Sequence, residues 1–241
     1  MPRKISSDNL KKIDVVILSG GQGMRLRKII SDRPKPMVEI NQRPFLDMVI
    51  NYISKYGFRR FILCVGYMAE VIQSYYLKKA GPQEILFSYE DKPLGTAGAV
   101  KNAERLILSS PFLVMNGDSF CAVDVSRFFD FHLKKGALLS MVVVGTEDTK
   151  DYGLVTLDDS DRIIRFAEKK RKKEKAFINT GIYLFEKDIL SLIPSSTKYS
   201  LEHDLFPKLV GQEFYGYITE AKLIDIGTPK RYAQARRYFY E

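Results

Sequence analysis

The sequence predicts an α/β fold: a mixed, mainly parallel sheet flanked by helices, with extra antiparallel strands in the second half. Two patterns carry that expectation. Up to about residue 135, apolar β-branched runs that end in glycine loops alternate with segments of helical apolar spacing. From about residue 136, strand candidates follow one another closely, without helices between them. The chain has 241 residues and is 45% apolar and 28% charged. That suffices for one large domain over 1–241, made of a first half at about 13–135 and a second half at about 136–241.

Ile13 to Leu18 (IDVVIL) is a continuous apolar run that stops at Ser-Gly-Gly, the mark of a strand buried on both faces before a tight loop. Pro44 to Tyr56 has apolar residues at helical spacing and stops at Gly57, after which FRRFILCV reads as a strand. Met68 to Lys79 reads as helix, Glu84 to Tyr89 as strand, Gly95 to Leu108 as helix, and Phe112 to Met115 as a short buried strand leading into NGD. Such alternation implies right-handed βαβ units. The later strands are ALLSMVVVG, YGLVTLD, RIIRFAEK and AFINTGIYLFE, with an acidic turn at Asp158 to Asp161. Short helices near Lys187 to Leu192 and Leu201 to Leu209, strands at Glu213 to Tyr217 and Lys222 to Asp225, and a helix from Pro229 complete the reading.

Composition removes several functions. No apolar run approaches the roughly 20 residues that span a bilayer, and the start MPRKISSDNLKK lacks the apolar core of a secretory signal. A cytoplasmic protein without a membrane partner is expected. Cys64, Cys121, His132 and His203 are too few and too scattered for a Cys/His zinc site. Cys121 and His203 read as packing residues. The net charge of +9 is gathered largely in KKRKKEK and PKRYAQARRY, runs that usually form solvated faces. No nucleic-acid signature accompanies it, so an electropositive cleft for a small phosphorylated ligand is the better reading. Arg33 and Lys28 read as surface residues or distant phosphate contacts, and the Tyr75-Tyr76 and Tyr238-Phe239-Tyr240 clusters as core or subunit contacts.

In an open parallel sheet, ligands sit beyond the carboxyl ends of the strands, and three motifs fall there. In SGGQGM (Ser19, Gly20, Gly21, Gln22, Gly23, Met24) the missing side chains let backbone N–H groups approach an anion, with Arg25 and Lys35 adding charge. The loop is neither a GxGxxG fingerprint, since Leu26 stands at the third glycine, nor a GxxxxGK[ST] P-loop. The second motif, KPLGTAGA, holds Leu94, Gly95, Thr96 and Gly98 as a glycine-rich turn before a helix, its small residues leaving room for a flat ligand. The third is NGDS, where Asp118 just past a strand suits Mg²⁺ beside phosphate oxygens.

In this order the motifs resemble the sugar-1-phosphate nucleotidylyltransferases, written G-G-x-G-x-R-L followed by P-K-P: here Gly20, Gly21, Gly23, Arg25 and Leu26, then Pro34, Lys35 and Pro36. The resemblance continues through LGTAGA, NGD, YGLV, FAEKK, INTGIY and IDIGTP, over nearly the whole chain. It implies a Rossmann-like fold of the nucleotide-diphospho-sugar transferase type. It also implies transfer of NMP from an NTP to a sugar 1-phosphate with release of pyrophosphate. Arg25, Lys35, Asp118, Asp225 and Lys169 are then the catalytic candidates. Arg25 would steady the NTP phosphates, Lys35 bridge to the reacting phosphates, and Lys169 pair with the sugar phosphate. Asp118 and Asp225 would hold Mg²⁺. Asn116, Gly117, Tyr152, Gly153, Glu168, Asn179 and Thr180 would form the sugar site. By composition alone Lys169 opens a solvated basic run and Asp225 could cap the helix after it. The family's usual Pro after its E-K element is Lys170 here.

The LGTAG segment resembles guanylyl-transferring members, and PKPMVEINQRPFLD looks most like the heptose 1-phosphate guanylyltransferases of surface polysaccharide synthesis. GTP and D-glycero-D-manno-heptose 1-phosphate are therefore the expected substrates. Mannose 1-phosphate, glucose 1-phosphate with dTTP or UTP, and N-acetylmuramate 1-phosphate with UTP stay open. A catalytically silent sugar-nucleotide regulator is the alternative of a different class. It predicts lost phosphate and metal residues, all of which are present. The aromatic C-terminal helix is a candidate contact for a homo-oligomer.

Overall fold

The computed structural model describes residues 7–26, 29–149, 151–167 and 176–239. After a short helix α1 (Ser7–Leu10), strand β1 (Asp14–Leu18) alternates its side chains between two buried clusters. Val15 and Ile17 enter one and Val16 the other. That period of two, with both faces covered, explains why the segment reads as an unbroken apolar run. Its first residue, Asp14, is buried, and its carboxylate accepts hydrogen bonds from the Leu108 and Ser109 N–H groups and pairs with Arg60. A two-stranded ladder, β2 (Glu39–Ile40) with β3 (Arg43–Pro44), leads into helix α2 (Phe45–Ser54). Its buried residues Phe45, Leu46, Val49, Ile50 and Ile53 form one helical stripe.

Strands β4 (Arg60–Val65), β5 (Glu84–Tyr89) and β6 (Phe112–Asn116) join β1 in a parallel array ordered β5-β4-β1-β6, with α3 (Ala69–Lys78) and α4 (Gly95–Asn102) as crossovers. The chain order reverses at β1, so a crevice opens between the carboxyl ends of β1 and β6. The core residues of α2, α3 and, further along, helices α5 (Val125–Lys135) and α7 (Pro229–Tyr238) belong to one cluster. Those of α4 and helix α6 (Phe206–Leu209) belong to the other.

The second half extends the same sheet. A small ladder pairs β7 (Ser119–Cys121) with β13 (Leu223–Asp225) antiparallel, Asp225 opposite Ser119. Strand β8 (Leu139–Thr146) and the hairpin of β9 (Leu154–Leu157) and β10 (Ile163–Ala167) flank β11 (Ala176–Phe185), with β8–β11, β11–β9 and β9–β10 all paired antiparallel. Strand β12 (Phe214–Thr219) runs parallel to β8. The register of β11 breaks between Asn179 and Tyr183. Before the break it pairs with β9; after it, with β6.

Several expectations are corrected. The helix expected over Gly95 to Leu108 stops at Asn102, whose amide turns to the Ser88 hydroxyl and the Tyr89 carbonyl, and a 3₁₀ turn at Glu104–Leu106 follows. Lys187–Leu192 is 3₁₀, and Leu201–Leu205 is a wide π turn ahead of α6. Helix α5 went unread although its signals are ordinary. Asp124 caps it by accepting the Arg127 N–H, Val125, Phe128, Phe129 and His132 repeat at helical spacing, and Gly136 ends it at φ +58°. His203 is exposed rather than packed, because it points away from the stripe set by Leu201 and Leu205. Cys121 and Tyr76 are buried as expected, and Phe239 packs edge-on against Phe45 and Phe120.

Candidate functional site

Two adjoining cavities occupy the carboxyl ends of the parallel strands. The first, about 310 Å³, is lined from the β5 side to the β6 side by Glu90, Ser19, Gly20, Gly21, Gly23, Pro93, Gly95, Thr96, Lys35, Asn116 and Asp118, among others. The second, about 170 Å³, is lined by Arg25, Lys35, Asn116, Asp118, Tyr152, Gly153, Asn179, Thr180, Glu202, Asp225 and Arg231, among others. Lys35, Asn116 and Asp118 line both. The strand-end loops thus bring together most of the residues singled out from sequence. Glu168 and Lys169 lie outside the described residues.

The opening loop leaves β1 at Ser19, whose N–H donates to the Cys64 carbonyl, while Gly117 at the end of β6 donates to the Leu18 carbonyl. Ser19 is 1% exposed, and its hydroxyl has no hydrogen-bond partner among the described residues. Gln22, Met24 and Arg25 are exposed, and Gln22 and Met24 line neither cavity. Arg25 stands 3.6 Å from Asp151. Lys35 begins a 3₁₀ turn at Lys35–Met37, and its ammonium donates to Asp118 Oδ2 at 2.5 Å.

In the KPLGTAGA motif Gly95, Thr96 and Ala99 line the first cavity, and the glycines also make room for a neighbouring stretch of chain. Both glycines lie in α4 itself, and a Cβ on Gly95 or Gly98 would meet the Tyr199 or Thr197 carbonyl oxygen within 2.7 or 2.8 Å. Their smallness therefore admits the neighbouring chain. Gly98 and Leu94 exchange backbone hydrogen bonds with Tyr199, and neither lines a cavity. The Thr96 hydroxyl is bonded to Glu202 and receives the Leu201 N–H. Gly95 and Thr96 reach the first cavity through the edge of this junction.

Asn179 and Thr180 sit at the break in β11. The Asn179 amide braces it, accepting the Gly181 N–H and donating to the Tyr183 hydroxyl, and the Thr180 hydroxyl donates to the Val142 carbonyl. The Gly153 carbonyl accepts the Asn179 N–H. Asp225, at the end of β13, accepts the Gly227 N–H on Oδ1 and the Tyr152 hydroxyl on Oδ2. It does not cap α7, a task done by Thr228. Burial first, and then the Asp225 charge, push the Tyr152 phenol up from its ordinary value.

Three residues went unnoticed in the sequence. Glu90 follows β5 and lines the first cavity; its Oε2 accepts the Leu94 N–H at 2.8 Å, and burial pushes its carboxyl above the ordinary value. No motif surrounds it. Asp151 and Arg231 line the second cavity. Arg231 belongs to a basic run whose composition implies a solvated face, yet its side chain is 14% exposed.

Asp118, in the turn just before β7, and Asp225, at the end of the paired strand β13, line one cavity. No cluster of three or more His, Cys, Asp or Glu side chains exists among the described residues. Two carboxylates without a protein cage fit Mg²⁺, which binds one or two carboxylates and completes its shell with water and substrate phosphates. No helix among the described residues is long and apolar enough to cross a membrane.

Known proteins are similar over nearly the whole chain. D-glycero-alpha-D-manno-heptose 1-phosphate guanylyltransferase of Aneurinibacillus thermoaerophilus is 37% identical over 226 residues, covering 93% of this chain and 97% of that protein. The enzyme of that name from Campylobacter jejuni is 36% identical over 220 residues, covering 91% and 97%. The crystal structure of HddC from Yersinia pseudotuberculosis complexed with GMP-PN superposes with a TM-score of 0.83 at 37% identity, covering 94% of this chain and 99% of that one. Residues 14–240 match the family model described as nucleotidyl transferase. Matched by the family model over residues 14–240 and by relatives along nearly its whole length, the chain belongs to the nucleotidyl transferase family.

Proposed function

We propose that the chain transfers GMP from GTP to D-glycero-D-manno-heptose 1-phosphate, giving GDP-heptose and pyrophosphate for surface polysaccharide synthesis. The observation that carries this reading is the meeting of two cavities at Lys35, Asn116 and Asp118. The first cavity would take the nucleotide and the second the sugar phosphate, so the α-phosphorus would lie at their junction. An anomeric phosphate oxygen attacks that phosphorus, the bond to the β-phosphate bridging oxygen breaks, and pyrophosphate leaves on the opposite side. Such a reaction needs placement and charge neutralisation rather than a covalent nucleophile.

The chain's own residues supply both. Gly20, Gly21 and Gly23 let the backbone approach the nucleotide, and the Ser19 hydroxyl, which has no partner among the described residues, can donate to it. Lys35 holds Asp118 and reaches the reacting phosphates, and Arg25 stands at the outer side for the leaving pyrophosphate. Mg²⁺ held by Asp118 and Asp225 would neutralise phosphate charge. Tyr152, Gly153, Asn179 and Thr180 shape the acceptor side, which Glu168 and Lys169 would complete. Glu90 supports guanine: a carboxylate can accept the N1–H and the N2 amino group of guanine together, whereas the carbonyl oxygens flanking the uracil or thymine N–H repel it. Relatives with heptose in their names favour the sugar. A mannose-1-phosphate guanylyltransferase from Mycobacterium tuberculosis, 31% identical, keeps mannose as the second reading.

We further place the protein in the cytoplasm and treat 1–241 as one domain. Pyrophosphate release tests the reading, measured with ATP, GTP, CTP, UTP and dTTP against heptose, mannose and glucose 1-phosphates in Mg²⁺. GTP with heptose 1-phosphate is expected to give the highest kcat/KM. No release with any pair would refute the transferase reading.

A further inference from the structure

Of the acidic side chains that line the second cavity, Asp118, Asp151 and Asp225 each stand within 3.7 Å of a lysine or arginine. Glu202 lines the same cavity and has no such cation among the described residues. Hydroxyls hold it instead: Thr96 and Ser200 each donate to Oε2 at 2.8 Å. Each hydroxyl has one proton to give. The same hydroxyl oxygens accept backbone N–H groups, Thr96 that of Leu201 and Ser200 those of Glu202 and His203. These bonds pin the π turn at Leu201–Leu205, whose Leu201 and Leu205 side chains are buried. Glu202 is thus fixed through both its backbone and its side chain, in a type of turn that is frequent at functional sites. A carboxylate has about four acceptor positions. Two are filled on Oε2, and Oε1 has no hydrogen-bond partner among the described residues.

The chemistry of that oxygen narrows its ligand. Among the described residues no three His, Cys, Asp or Glu side chains are grouped so as to hold a metal, so Glu202 does not join Asp118 and Asp225 in a cage. A phosphate dianion is repelled by a carboxylate and drawn to cations, and Lys35 and Arg25 pair with Asp118 and Asp151 rather than with Glu202. A neutral hydroxyl suits it, because it donates a charge-assisted hydrogen bond without bringing a second negative charge. We propose that Glu202 Oε1 binds a hydroxyl of the acceptor sugar and selects the acceptor by that hydroxyl, while other residues hold its phosphate. This rests on the reading of the second cavity as the acceptor side. An acceptor without the matching hydroxyl leaves the charged oxygen unpaired, and for that reason such a contact discriminates more sharply than an apolar wall does. Thr96 and Ser200 are then its positioning residues, with Thr96 reaching the first cavity and Glu202 the second.

The test uses the full chain as wild type and Glu202→Gln, titrated calorimetrically with D-glycero-D-manno-heptose 1-phosphate, each of its monodeoxy analogues and inorganic phosphate. α,β-Methylene-GTP, whose bridging carbon blocks transfer, fills the nucleotide side and is titrated separately. Glu202→Gln is expected to bind the heptose phosphate about 10- to 150-fold more weakly, the scale of one hydrogen bond to a charged group. Its affinity for inorganic phosphate should be equal or higher, since a repelling charge is gone, and its nucleotide affinity and thermal midpoint should stay at the wild-type values. One deoxy analogue should bind wild type as weakly as the parent sugar binds Glu202→Gln, and should lose nothing further on that substitution. Wild type that binds every deoxy analogue like the parent, or that does not bind the heptose phosphate, would overturn the proposal whether or not the variant folds. So would unchanged heptose phosphate binding in Glu202→Gln, or a joint fall in phosphate affinity, nucleotide affinity and midpoint, which would make Glu202 a brace of the Thr96 junction. Failure of the transferase reading shows separately, as wild-type protein that binds the sugars in the expected pattern but releases no pyrophosphate from GTP.

Discussion

Replacing Gly181 with Ala tests whether the break in β11 is what sets the site. Gly181 has φ +80°, and a Cβ there would stand 2.4 Å from Asn116 Nδ2 and 2.8 Å from its Cγ. The left-handed backbone costs a non-glycine residue about 1–2 kcal/mol, and driving Asn116 from its rotamer adds about 0.5–1.5 kcal/mol. The sum, roughly 1.5–3.5 kcal/mol, corresponds to a fall of about 3–14 °C in melting temperature for a chain of this size. Gly136 supplies the control. It has φ +58° with nothing within 4 Å of its Cβ position, so Gly136→Ala bears the backbone term alone. The two variants should also separate in activity. Asn116 lines both cavities, and a displacement of about 1 Å at a reacting centre can cost on the order of a hundredfold. Thermal melts and pyrophosphate-release kinetics on both proteins decide the matter. Equal melting shifts and equal kcat/KM would refute the claim that Gly181 exists to make room for Asn116.

Asp118→Asn and Asp225→Asn should each lower kcat by at least about a hundredfold, the scale for losing one charge-stabilising group, with unchanged circular dichroism; wild-type turnover in either removes that residue from the metal site. Glu90→Gln should cut kcat/KM for GTP roughly 10- to 150-fold, the equivalent of about 1.5–3 kcal/mol for a charged hydrogen bond, while UTP turnover changes little. Burial raises the Glu90 carboxyl pKa, so wild-type kcat/KM for GTP should fall with decreasing pH already above the ordinary carboxylate value of 4.5, and the Gln variant should lack that acid limb. Glu186 has the opposite sign: the His132 hydrogen bond, opposed by desolvation and aided by Ser110, holds its carboxyl below 4.5. Its stabilising share is therefore present above 4.5 and lost as pH falls through the lowered folded value, so urea midpoints of Glu186→Gln should depend less on acid pH than those of wild type.

The fold was legible where one residue reports one environment. Val15, Val16 and Ile17 face two covered sides of the sheet, so an unbroken apolar run could mean little else. Helix α5 was equally legible from Asp124, its apolar repeat and Gly136. Asp118, Asp225 and Lys35 were legible because their motifs sit at strand ends in a recognisable order. Glu90 and Arg231 were not, for a physical reason. Glu90 becomes part of the site only through the parallel register that brings the end of β5 level with β4 and β1. Arg231 becomes part of it only because Tyr152, some eighty positions away in sequence, lies under its guanidinium. The small residues of KPLGTAGA show the converse, a local pattern that fits a ligand and is used to admit the Thr197 to Tyr199 backbone.

The bond that breaks is the most direct test of the central claim. GTP labelled at the α-phosphate, incubated with the protein, Mg²⁺ and heptose 1-phosphate, should pass its label into a nucleotide-sugar, while label at the γ-phosphate should appear in pyrophosphate. Release of α-label as GMP, or of γ-label as inorganic phosphate without pyrophosphate, would contradict transfer between the two cavities.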